Sequence, residues 1–126
     1  MSGLGLRSIN SVDNDKRFIQ AIYQHCPNLR YLKLSLNNDS IIELEKLLIN
    51  CQFLNELAID IIYESRIFNS WVKLFEILVK YSPISLFRFK FYFHRKANLK
   101  DIKLFHNNWK DRHPMVLEIR QCLSNF

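Results

Sequence analysis

A chain of 126 residues, 48% hydrophobic and 13% aromatic, can bury one substantial core, which excludes disorder as its main state. Its only glycines, Gly3 and Gly5, precede every patterned segment, which argues against a Gly-rich phosphate loop and so against Rossmann and P-loop nucleotide enzymes. The net charge of +6 comes from 18 Lys and Arg against 12 Asp and Glu, scattered without a basic tract, a balance that suits an acidic partner but is by itself weak evidence for nucleic acid.

Residues 1–14 read as a flexible N-terminal segment, followed by a single domain over 15–126. The opening MSGLGLRSIN has no apolar centre of the kind a secretory signal needs, and no apolar run approaches the roughly 20 residues that span a bilayer. The expected address is cytoplasmic or nuclear, with no membrane partner.

From there the chain alternates two periodicities. Phe18, Ile19, Ile22, Tyr23 and Cys26 fall on one face of a helix, and Pro27 stops it because proline has no amide hydrogen to continue the ladder. Leu29, Leu32 and Leu34 then mark a buried strand. A second helix carries Leu44, Leu47, Leu48 and Cys51, and Ser40 with Glu43 at its start reads as a capping box. CQFLNELAI, from Cys51 to Ile59, then repeats CPNLRYLKL, from Cys26 to Leu34, with Cys and three apolar residues at matching positions. The third helix has Leu74, Phe75, Leu78 and Val79, with Asn69 and Ser70 as caps and Pro83 beyond its end; LFRFKF is its strand. The fourth has Leu99, Ile102, Phe105 and Trp109, capped by Asn98, and leads past Pro114 into VLEIR. Helix, loop and strand recurring in one direction predict a parallel sheet with helices along one side, stacked as an α/β solenoid of about four irregular units.

LRYLKLSLN, Leu29 to Asn37, matches the pattern LxxLxLxxN, and Cys26 stands three residues ahead of it. With CPNL, SPISLFRFKF and NWKDRHP, this resembles the cysteine-containing leucine-rich repeats of fungal F-box-like proteins. The resemblance covers Phe18 to Ile119 and implies a right-handed leucine-rich-repeat solenoid serving as the substrate-recognition part of a ubiquitin ligase. Asn37 has no counterpart at Ile62 or His94, and no F-box motif precedes Phe18, so a ligase adaptor is implied only if an F-box is supplied elsewhere.

In such a solenoid, the residues between the buried ones form rows on the helix-free strand face. The rows read Tyr31, Glu56, Arg88, Val116; Lys33, Ala58, Lys90, Glu118; and Ser35, Asp60, Tyr92, Arg120. Tyr31, Lys33, Glu56, Asp60, Arg88, Lys90 and Tyr92 are the candidate contacts to a protein ligand, since Tyr and Arg are favoured interface anchors. The competing reading pairs Glu56 with Arg88 and Glu118 with Lys90 and binds nothing. In FRFKFYFHRK, alternation sends Phe87, Phe89, Phe91 and Phe93 to one face and leaves Tyr92 as the only stacking platform, which favours a core strand over a nucleic-acid grip. The alternatives to a protein-binding module are a basic module for nucleic acid or another polyanion, and a decayed fragment that binds nothing. The apolar finish LSNF offers no cap, so self-association through uncapped ends is also expected.

No enzyme, metal or cofactor is expected. Cys26, Cys51 and Cys122 are odd in number and form no CxxC pair, and His25, His94, His106 and His113 are dispersed. The thiols read as small apolar core groups. Adjacent His25 and Cys26 lack an orienting third group, and the carboxylate pairs Glu43 with Glu45 and Asp13 with Asp15 suit helix starts.

Overall fold

The computed structural model describes residues 7–11, 15–61, 71–93, 99–109 and 112–121. In chain order the elements are β1 (Ser8–Asn10), α1 (Lys16–His25), β2 (Tyr31–Leu36), α2 (Ile41–Asn50), β3 (Glu56–Ile61), α3 (Trp71–Tyr81), β4 (Arg88–Phe93), α4 (Leu99–Trp109) and β5 (Val116–Gln121). The five strands form one parallel sheet in sequence order, and each helix packs on the next, α1 on α2, α2 on α3 and α3 on α4. The result is an α/β fold of one helical layer over one face of a sheet.

Local chemistry sets the helix ends. Asp15 caps α1 by accepting from the Arg17 amide at 2.8 Å, a bond that holds the Asp15 carboxyl below its ordinary value. The helix closes with the Cys26 amide donating to Ile22 O at 2.9 Å, one residue before Pro27. The capping box expected at Ser40 and Glu43 does not form. Asn37 Oδ1 instead accepts from the amides of Asp39 and Ser40, at 2.9 and 2.8 Å, while Ser40 Oγ accepts from the Asn37 amide at 3.1 Å. Glu43 is turned the other way, into the α1–α2 contact, where its Oε1 accepts from Tyr23 Oη at 2.9 Å and Gln20 Nε2 at 3.1 Å and the residue is 5% exposed. A carboxylate with two donors in a buried groove gains more from them than from one amide at a solvated helix start.

Alternation places Leu32, Leu34 and Leu36, Leu57 and Ile59, and Phe89, Phe91 and Phe93 in the core between sheet and helices. The third and fourth units meet through aromatic rings: Phe75 stacks on Phe105 at 4.9 Å, and Trp109 meets Phe89 edge-on at 5.1 Å. Cys51 is fully buried and its thiol lies 3.7 Å from Cys26 O, so the recurring cysteine links successive turns of the chain. Amides at the starts of β2 to β5 donate to the residue before the neighbouring strand: Arg30 to Arg7 O at 2.8 Å, Asn55 to Arg30 O at 2.7 Å, Phe87 to Asn55 O at 3.1 Å and Val116 to Phe87 O at 2.7 Å. Trp109, Arg112 and His113 close the far end as a clamp. The Arg112 guanidinium donates to Val79 O and, at 2.5 Å, to Ser82 O, both at the end of α3, and lies 4.5 Å over the Trp109 ring. His113 Nε2 donates to Leu86 O at 2.5 Å, and Trp109 Nε1 to His113 O at 2.8 Å.

One boundary differs from the sequence reading. Ser8–Asn10, inside the stretch read as a flexible leader over 1–14, is a strand paired in parallel with Tyr31–Lys33. Three residues are too few to show a period of two, and the strand exists because β2 would otherwise present an unpaired edge. The caps read at Asn69, Ser70 and Asn98, together with Asp13, Ile62, His94, Cys122 and the terminal LSNF, lie outside the described residues.

Candidate partner-binding strand face

The sheet face away from the helices is built by the same alternation that fills the core. In β4 the sequence RFKFYF buries Phe89, Phe91 and Phe93 and leaves Arg88, Lys90 and Tyr92 half-buried on the other side. Parallel register then aligns the strands. Tyr31 stands opposite Glu56, Glu56 opposite Arg88 and Arg88 opposite Val116; Lys33, Ala58, Lys90 and Glu118 form the next row; Ser35, Asp60, Tyr92 and Arg120 the third. All seven residues singled out in the sequence, Tyr31, Lys33, Glu56, Asp60, Arg88, Lys90 and Tyr92, are therefore brought to one face in the expected rows. β1 extends it, with Ser8 beside Tyr31 and Asn10 beside Lys33.

The charges on this face form a chain across three strands. Arg88 Nε lies 3.4 Å from Glu56 Oε1; Lys90 Nζ sits between Glu56 Oε2, at 3.7 Å, and Glu118 Oε2, at 4.0 Å; Arg120 Nε donates to that same Glu118 oxygen at 2.9 Å. The Arg120 hydrogen bond holds the Glu118 carboxyl below its ordinary value, with Lys90 and Arg88 adding to it. Glu118 and Arg120 are the members of this chain absent from the seven candidates, although the row pattern contained both.

Beside the ion pairs lies an aromatic contact. Lys33 Nζ is 4.3 Å over the Tyr92 ring, so the Lys33 side chain bridges from β2 to β4 across β3. The small residues Ser35 and Ala58 are fully buried beneath these longer neighbours, and Ser35 Oγ has no hydrogen-bond partner among the described residues. Tyr31 is half-buried, and burial first, then the Glu56 charge, pushes its hydroxyl above the ordinary value. Tyr31 thus keeps a neutral hydroxyl near pH 7.

Burial pushes the Cys26 thiol up and the Cys51 thiol up to about 11, so both are protonated and poorly nucleophilic at neutral pH. His25, next to Cys26, is exposed. Among the described residues no group of three or more His, Cys, Asp or Glu is placed to hold a metal ion, and no described helix is long and apolar enough to cross a membrane. No protein-family model, curated protein or solved structure matches the chain.

Proposed function

We propose that this chain is a protein-interaction module, a right-handed leucine-rich-repeat solenoid that presents its helix-free strand face to a protein partner in the cytoplasm or nucleus. The observation that carries the reading is the in-register convergence of Tyr31, Lys33, Glu56, Asp60, Arg88, Lys90 and Tyr92 on one face that no described helix covers. Its side chains are already held by cross-strand ion pairs and the Lys33–Tyr92 contact, which lowers the ordering cost of docking. Tyr31, Arg88 and Tyr92 supply the residue types that anchor protein interfaces.

Charge distribution favours a protein over a polyanion. Lys33, Arg88, Lys90 and Arg120 are interleaved with Glu56, Asp60 and Glu118, so a phosphate backbone laid across the face would meet carboxylates on β3 and β5, on either side of the basic β4. A protein of mixed charge can match this pattern. The resemblance of LRYLKLSLN to the repeats of F-box receptors supports a role in substrate recognition, with a ligase adaptor engaged only through an F-box supplied elsewhere.

The test is affinity capture from the source cell's extract with the unaltered chain beside an Arg88→Glu, Lys90→Glu, Tyr92→Ala variant shown to be folded by circular dichroism. Proteins retained by the first and lost by the second are the expected result. Identical captures from both would remove this face as the binding surface.

A further inference from the structure

At the N-terminal end of the sheet, apart from the strand face, a cavity of about 200 Å3 is lined by Arg7, Asn28, Arg30 and Phe53. Arg7 immediately precedes β1 and Arg30 immediately precedes β2. The Arg7 carbonyl accepts from the amides of Arg30 and Tyr31, at 2.8 and 2.9 Å, so the two arginines are pinned side by side at the roughly 4.8 Å spacing of paired strands. Like charges in that position repel one another.

On the strand face Arg88, Lys90 and Arg120 each have a carboxylate; among the described residues neither Arg7 nor Arg30 has one. Phe53, on the wall of the same cavity, is 52% exposed, which leaves its ring open to a ligand in that cavity. Two arginines without a carboxylate among the described residues, lining one cavity with an exposed aromatic ring, describe a ligand with a doubly charged oxyanion at one end and an apolar group at the other. A carboxylate would balance one of the two charges. A phosphate monoester, close to a dianion at neutral pH, balances both and offers three oxygens to the planar forks.

We propose that this cavity binds a phosphate monoester whose ester substituent packs on Phe53. The volume is below the roughly 300–1,000 Å3 of sites that enclose drug-sized ligands, so it takes the phosphate and the adjoining ring or alkyl group and leaves the rest outside. The site shares no residue with the seven of the strand face, and either proposal can fail without the other.

The experiment is a backbone NMR titration of the full chain with phenyl phosphate, inorganic phosphate and benzoate, following the amides of Arg30, Tyr31 and Phe53. Phenyl phosphate is expected to saturate these shifts and to bind at least about 10-fold more tightly than benzoate, the factor a charge-assisted hydrogen bond contributes at its lower end. Arg7→Gln and Arg30→Gln should each weaken phenyl phosphate by about 10-fold or more, and Arg30→Lys should restore it only in part, because an ammonium cannot form the fork. Phe53→Ala should weaken phenyl phosphate and leave inorganic phosphate nearly unchanged. Lys103→Gln, on the exposed side of α4, should alter neither. Circular dichroism establishes that each variant is folded.

A phosphotyrosine peptide binding more tightly than phenyl phosphate would place the group on a protein, and equal affinity would place it on a free small molecule; the proposal stands in both cases. It is overturned by the absence of saturable shifts up to about 10 mM, by equal affinity for benzoate, or by unchanged binding in the Arg7→Gln, Arg30→Gln double variant. Equally tight competition by single-stranded DNA lacking a terminal phosphate would also overturn it.

Discussion

At the scale of single residues, burial decides chemical character more than residue type does. Cys51 belongs to a reactive class, yet its burial raises the thiol to about 11 from an ordinary 9.0. In the folded chain Cys51 should therefore resist iodoacetamide at pH 8 and react only on unfolding. Peptide mapping that found it alkylated in the native protein at the rate of a free thiol would contradict its burial. The same shift has a consequence for stability. Because the folded state keeps a proton that the unfolded chain releases above pH 9, this contribution is intact below that pH and is lost as pH rises toward 11. Equilibrium unfolding across that window should show stability falling with pH, less steeply in Cys51→Ala. Glu43 shows the reverse displacement: a charged residue, read in the sequence as a cap, is held in a helix–helix groove by Tyr23 and Gln20. Tyr23→Phe should cost about 1 kcal/mol in urea unfolding, and Glu43→Ala about 1–3 kcal/mol because it strands two donors. Equal stability of all three proteins would mean that water replaces the carboxylate without loss.

At the scale of elements, β4 states the rule of the fold in six residues. Phe91→Ala removes a fully buried ring that meets Phe75 and Phe105 edge-on at 5.6 and 6.0 Å, and should cost about 3–5 kcal/mol. Tyr92→Ala, one position along, should cost under about 1 kcal/mol, since it touches only the strand face. Similar losses in the two variants would mean that alternation does not organise this strand. The aromatic periods in β4 and α4 were legible because a period of 2 or 3.6 is a local property of the chain. The clamp after α4 was not. Nothing in NWKDRHP says that Arg112 reaches back to the end of α3, since its acceptors are carbonyls that any residue would supply. Arg112→Ala should destabilise the protein by about 2–3 kcal/mol, and Arg112→Lys should recover less than half of that, because one ammonium does not span two carbonyls. Chemical unfolding of the three proteins measures both effects.

At the scale of the whole molecule, the sheet has two unlike ends. β1 is a three-residue strand, while β5, the last described strand, has no described neighbour on its outer side. Ile119 shares a register position with Phe91, which is fully buried, yet is 38% exposed. We propose that this end pairs with a second copy of the chain. Sedimentation velocity should then show association that rises with concentration and is reduced by Ile119→Lys; a monodisperse monomer at high concentration would count against it. The interleaved charges of the strand face lead to a second expectation at this scale. Partner binding there should weaken modestly with salt, whereas a polyanion would show a steep log-linear loss.

The helix-to-strand alternation, the parallel order of the strands from β2 to β5 and the three rows of the strand face were determined by the sequence alone. Each follows from which residues are apolar and how far apart they lie, and periodicity carries that information without reference to the rest of the chain. Tertiary structure decided what depends on encounters between distant segments: β1 joining the sheet beside β2, Glu43 meeting Tyr23, Lys90 lying between two carboxylates, Arg112 closing the end of α3, and Arg7 standing beside Arg30 at one cavity. No period marks such pairs, because a hydrogen bond or an ion pair is selected by three-dimensional proximity and by how much water is excluded around it.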